Sequence, residues 1–169
     1  MKSSLRRPFG LSAVVVLCAA AGCSPSGGAE GPAVAVPTPS ARAAGLCRAL
    51  HKELPKTVDG KQRRTAGPVS DFTAVWGDPA IALRCGVERP EIIKPGSEHY
   101  NPAADSVEID GVDWLPERRP DGSVRCTTTL REAFVEVTLP RKVVGEAGDL
   151  GALTDLAGAV AKTIPVGVV

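Results

Sequence analysis

The chain has 169 residues, enough for one domain with a real core and too few for a multidomain assembly. Lys and Arg number 20 against 19 Asp and Glu, a net charge of +1, so there is no basic excess of the kind nucleic acid selects. Only 4% of residues are aromatic, so aliphatic side chains must fill most of the interior.

The first 22 residues read as a signal rather than as part of the fold. Lys2, Arg6 and Arg7 make a positive start, and Leu11 to Ala21 is an apolar run too short to span a bilayer. The run ends in Ala20-Ala21-Gly22-Cys23, which resembles a lipobox, in which the cysteine thiol is acylated and the chain is cut before it. An uncleaved anchor and an ordinary secretory signal are the plainer readings. The depth of Cys23 and the plain linker after it favour lipidation. Arg6-Arg7-Pro8-Phe9 fits a general export signal and, in part, a twin-arginine one. Without residues 1–22 the chain keeps 17 basic and 19 acidic residues, a net charge of −2. Such a chain has no polybasic anchor for anionic lipid, so attachment to a bilayer is expected through acylated Cys23.

Ser24 to Ser40 is rich in Pro, Gly, Ala and Ser and has no apolar periodicity, so it reads as a tether. As a flexible coil it would span on the order of 20–25 Å. Ala41 to Leu54 is a helix candidate: Cys47, Leu50 and Leu54 form one apolar stripe, with Leu46 beside it, and Pro55 stops it. Lys56 to Ser70 is polar, and its Lys61, Arg63 and Arg64 fit a solvated loop better than a basic patch. Phe72 to Trp76 and Ala80 to Val87 read as strands about Gly77-Asp78-Pro79. In the second, Ile81, Leu83, Cys85 and Val87 share the inward parity and Arg84 lies opposite.

Glu88 to Asp105 is long and irregular, with Pro90, Pro95 and Pro102; Ile92, Ile93 and Tyr100 favour packing, and the loop is a candidate binding element. Val107 to Trp114 carries a hairpin signal at Asp110-Gly111, suited to a type I′ turn. A second turn at Pro120-Asp121-Gly122 leads into Ser123 to Thr129, and Ala133 to Leu139 alternates again before Pro140. Leu150, Leu153, Ala157, Val160 and Ile164 recur at helical spacing, with Asp149 near the start and Lys162 near the end.

Cysteine usage fits an oxidising compartment. Of five cysteines, Cys18 leaves with the signal and Cys23 would carry lipid, so two of Cys47, Cys85 and Cys126 are expected to pair, in any of three ways.

The segment Trp76-Gly77-Asp78-Pro79-Ala80-Ile81-Ala82-Leu83-Arg84-Cys85-Gly86-Val87 resembles the central motif of the domain-of-unknown-function family 3515, a family of actinobacterial envelope lipoproteins. Ile109-Asp110-Gly111-Val112-Asp113-Trp114 resembles a second motif of that family. Thr127-Thr128 with Arg131 and Val135-Glu136-Val137 is similar to a third. Cys126 stands where an aromatic residue is usual. The resemblance therefore implies a Cys47–Cys85 disulfide and leaves Cys126 as the odd thiol. It implies an envelope lipoprotein and carries over no catalytic residue. Closing the Cys47–Cys85 loop would stabilise the fold by about 3–4 kcal/mol in the chain-entropy picture.

Little else carries chemistry. The Cys47–Cys85 pair lacks a Cys-x-x-Cys spacing and reads as a staple rather than a redox centre. Cys126 alternates with Val124 and Thr128, which suits a buried, inert thiol better than a nucleophile. His51 and His99 fit no zinc motif, and Asp105, Asp110 and Asp113 lack the spacing of a calcium loop, so neither cofactor nor metal is expected. There is no Gly-x-Ser-x-Gly elbow. Trp76 and Trp114 fit core packing; exposed beside Arg84 or Asp113, they would make a peptide- or glycan-binding surface.

The expectation is an α+β domain over residues 45–169, a small antiparallel sheet of about five strands with an N-terminal and a C-terminal helix, stapled by a disulfide. Signal 1–22 and linker 23–44 precede it. Functionally the chain reads as a non-catalytic binding or accessory lipoprotein of the cell envelope, with a protein or glycan partner and no nucleic acid. An envelope hydrolase or thiol-redox accessory, and a solute-binding lipoprotein, are the alternatives.

Overall fold

A computed structural model describes residues 31–167. The expected signal 1–22, Cys23 and the first part of the tether lie outside the described residues.

The first helix, α1 (Ala41–Glu53), starts where Ser40 caps it, the hydroxyl accepting from the Ala43 amide at 3.3 Å. Cys47 and Leu50 are buried on its inner side. Four strands follow: β1 (Thr57–Val58), β2 (Lys61–Arg64), β3 (Thr73–Trp76) and β4 (Ile81–Val87). Four more come after residue 106: β5 (Val107–Ile109), β6 (Val112–Arg118), β7 (Val124–Thr128) and β8 (Phe134–Leu139). A short helix α2 (Arg141–Val144) and a 3-10 turn at Gly151–Leu153 lead into α3 (Thr154–Thr163).

All eight strands form one sheet in the order β1-β2-β3-β4-β8-β7-β6-β5, every pair antiparallel. It is two four-stranded meanders joined where β4 meets β8. This topology explains the long irregular segment after β4. The chain must pass from the middle of the sheet to its far edge, four strand spacings or roughly 19 Å away, before it can meander back. Ile92 and Ile93 are half-buried along that crossing, and Tyr100 is exposed.

One face of the sheet carries the core. Leu83, Val137 and Cys126 lie side by side across β4, β8 and β7, and Trp114 sits opposite Thr128. α1 and α3 close over this face with Leu50, Leu156, Ala157 and Val160. Trp76 and Trp114 are both fully buried here. The Trp76 indole donates to the Pro55 carbonyl at 3.0 Å. A surface role for either tryptophan is thus corrected: both point to the helix side, where they supply volume the few other aromatics cannot. The Cys47–Cys85 disulfide is present, with Cα atoms 5.5 Å apart, and joins α1 to β4.

Three other expectations change. The sheet has eight strands rather than about five. Lys56 to Ser70 is not wholly loop: β1 and β2 pair through a two-residue turn at Asp59 and Gly60, both with positive φ. The tether is not free over its described part, because residues 32–39 lie against the sheet. Val34 donates its amide to the Gly67 carbonyl at 2.8 Å and packs with Ala66 and Val75, and Pro37 is buried. Pro39 crosses β4 at Gly86, where the strand bulges. Gly86 has φ +83°, and a Cβ there would stand 2.5 Å from Pro39 Cβ, so only glycine lets this strap pass beside the disulfide. The ordered body therefore begins before residue 45.

Candidate functional site

The second face of the sheet is polar. Alternation places Arg84, Glu136, Thr127 and Leu115 in one row across β4, β8, β7 and β6, and Ala82, Thr138, Arg125 and Glu117 in the next. Arg84 Nη1 donates to Glu136 Oε1 at 2.9 Å. Arg125 lies 4.0 Å from the other Glu136 oxygen and grips Glu117 with two hydrogen bonds of 3.1 and 2.9 Å. These four side chains form a continuous charge-alternating chain across four strands. The fork geometry of the Arg125–Glu117 pair raises the Arg125 pKa, against the opposing effect of burial. Both arginine side chains are about a third exposed, so each pair contributes on the order of 0.2–1 kcal/mol. The value of the row is geometric: donors and acceptors are held in fixed alternation.

This row floors a cleft of about 860 Å³. One wall is the strap, through Val36, Pro37 and Thr38; Arg84 Nε donates to the Ala35 carbonyl at 2.8 Å and so ties strap to floor. The other wall is the crossing segment after β4, with Glu88, Arg89, Glu91 and His99. The lining mixes both signs, three arginines (Arg84, Arg89 and Arg125) against four glutamates (Glu88, Glu91, Glu117 and Glu136), a net of one negative charge. Such a surface suits a ligand that itself offers donors and acceptors, a peptide backbone or a hydroxyl-rich glycan, rather than one strongly charged group.

Of the candidate surface residues Trp76, Arg84, Asp113 and Trp114, Arg84 alone lines this cleft, and the candidate binding loop Glu88 to Asp105 supplies one of its walls. Asp113 is half-buried on β6 outside it, and the tryptophans are on the far side. Glu136, Arg125 and Glu117 were not anticipated as a group. The Arg125–Glu117 pair was within reach: the two are equidistant from the Pro120-Asp121-Gly122 turn, so a hairpin centred on Asp121 places them opposite each other.

Cys126 is a free thiol, fully buried on the core face away from the cleft. Burial, aided by the Glu117 charge, pushes its pKa up to about 12. Burial on the core face thus disfavours the thiolate that a nucleophile needs. Alkylation by iodoacetamide at pH 8, read at Cys126 by peptide mass spectrometry, should be negligible until urea unfolds the protein. Stoichiometric labelling of the folded protein would overturn this placement.

A protein-family model described as "Protein of unknown function (DUF3515)" matches residues 8–168. No curated protein and no solved structure matches the chain.

Proposed function

The chain belongs to the DUF3515 family of proteins of unknown function, and from that premise we propose that it is a lipoprotein of the cell envelope, anchored through acylated Cys23 on the extracytoplasmic face of the membrane. The domain acts there as a non-catalytic binding or accessory module, holding a peptide or glycan segment of an envelope partner in the strap-walled cleft. The observation that carries this reading is the charge-alternating floor of Arg84, Glu136, Arg125 and Glu117. Each charge there already has a partner on a neighbouring strand. A row built this way presents fixed donors and acceptors, each carboxylate already engaged by an arginine. The strap adds a second support. Val36, Pro37 and Thr38, in the segment that follows Cys23 in sequence, line one wall of the cleft.

Both halves of the proposal are read in one experiment. A photocrosslinking side chain is placed at exposed Glu88 on the cleft rim, or at Lys52 on α1 as the control, in parent and Cys23→Ala chains. The parent should fractionate with membranes and the Cys23→Ala chain should be released. A discrete adduct is expected from position 88 and not from 52. Membrane retention of Cys23→Ala sinks the anchor, and equal adducts from both positions sink the cleft.

A further inference from the structure

The two ends of the sheet differ in polarity. Strand register gathers the end of β2, the start of β3, the end of β4, the start of β8 and the end of β7 at one end. Arg64 lies opposite Val75, Thr73 opposite Arg84, Val87 opposite Phe134 and Thr127 opposite Glu136. Loops 65–72 and 129–133 close this end, and the segment after α3 joins them, with Val166 in an antiparallel bridge to Arg131. Among the described residues the three most exposed large apolar side chains all sit here: Val69 at 83%, Val166 at 71% and Leu130 at 51%. The opposite end is closed by Asp59-Gly60, by Gly77-Asp78-Pro79 and by Arg119 to Gly122. It carries no exposed large apolar side chain among the described residues.

The apolar end also receives the N-terminal segment. Gly31 lies so close to loop 65–72 that a Cβ on it would stand 1.6 Å from the Thr65 carbonyl oxygen. Two hydrogen bonds hold the next residues there, Val34 amide to Gly67 carbonyl at 2.8 Å and Gly67 amide to Pro32 carbonyl at 3.2 Å. Gly31 follows Cys23 by eight positions, so whatever path the chain takes, the two are at most about 28 Å apart. β4 and β6, of seven residues each, already separate the two ends of the sheet by about 20 Å before the turns are added. A chain acylated at Cys23 and fixed at Gly31 thus meets a bilayer readily with the apolar end. It could present the polar end only with the intervening residues close to full stretch.

We propose that this end of the domain rests on the bilayer, with Val69, Val166 and Leu130 seated among the lipid headgroups. The inference depends on the anchor at Cys23 and adds a second contact that fixes how the domain stands. Three separate apolar side chains would hold a free protein only weakly, but the anchor makes their contact intramolecular and so raises its effective concentration. The chain has no basic excess, so the contact is apolar and neutral phosphatidylcholine suffices.

The test uses the full-length acylated chain in phosphatidylcholine vesicles that carry a headgroup nitroxide as quencher. A fluorescent side chain is placed at Val69, at Val166, or at exposed Arg119 in the opposite end as the control. All three are surface positions, so the fold is kept. The labels at 69 and 166 should be quenched roughly twofold or more and the label at 119 little, with the contrast kept at high salt. Val69→Asp should lower the quenching at 166 without releasing the chain from the vesicles, because the anchor remains. A chain that sediments with the vesicles but is quenched equally at all three positions overturns the orientation and leaves the anchor standing. A chain that does not sediment with them overturns the anchor, and the orientation with it.

Discussion

Replacing Cys47 and Cys85 together by alanine is expected to lower the unfolding free energy by on the order of 4 kcal/mol, the largest loss any pair of changes outside the aromatic core should cause. The bond closes a loop of 38 residues, which in the unfolded chain would otherwise be free to open. That loop contains all of β1, β2 and β3, so the cross-link restrains three of the eight strands before any of them pairs. The native side adds to the effect. Both cysteines are essentially inaccessible, and the bond fastens α1 to β4, the strand through which the first meander joins the second at β8. Pro39 crosses Gly86 within reach of the Cys47 sulfur, so the strap rests on the same point. Urea unfolding of the parent and the double variant at neutral pH checks this. The midpoint should fall steeply, and a loss below about 1 kcal/mol would show that the loop closure contributes little.

How much of this was legible in the sequence depended on whether a signal was local. The stripe of Cys47 and Leu50 gave α1 to within a residue, and Asp110-Gly111 gave its hairpin because both positions carry the positive φ that a type I′ turn requires, 48° and 77°. The inward parity of Cys85 was equally local. β2 was missed because a strand with the sequence Lys-Gln-Arg-Arg has no apolar alternation to betray it. Yet Asp59-Gly60 is the same turn signal that located the later hairpin, with φ 49° and 67°, and read alone it would have found the pair.

The strap was missed for a different reason. Pro, Ala and Val in residues 32–39 have no periodicity because they follow no repeating backbone. They dock singly, Val34 beside Val75 and Pro39 over Gly86, and single contacts leave no pattern. The polar floor was hidden for a third reason. Arg84 and Glu136 are 52 positions apart, and only the crossing segment, by carrying the chain to the far edge, brings β8 back against β4. Sequence placed Arg84 on the outward face, and topology supplied its partner.

Arg131 makes the same point for stability. Arg131→Ala should cost about 2–4 kcal/mol, although this side chain has no carboxylate partner among the described residues. Arg131 is 6% exposed. Its two terminal nitrogens donate to carbonyls that nothing local brings together: Gly111 in the β5–β6 turn at 2.6 Å, and Ile164 at the end of α3 at 3.0 Å. Hydrogen bonds from a charged donor contribute more than neutral ones, and the Ile164 carbonyl belongs to a fully buried residue, so removing the guanidinium leaves an acceptor with no replacement. The residues around Arg131 extend the junction. The Glu132 amide donates to the Pro165 carbonyl at 3.0 Å and the Gly167 amide to the Leu130 carbonyl at 3.2 Å, so the segment after α3 is tied down beside it. A lysine has one head where arginine has a fork, and cannot span both carbonyls; Arg131→Lys should therefore recover less than half of the loss. Urea unfolding measures the magnitude, and hydrogen exchange locates it. The amides of Glu132 and Gly167 should exchange faster in Arg131→Ala than expected from the global loss, because the hairpin turn and the C-terminal segment part there first. A stability within about 0.5 kcal/mol of the parent, with these two amides unchanged, would mean that the two ends of the fold are held together by packing alone.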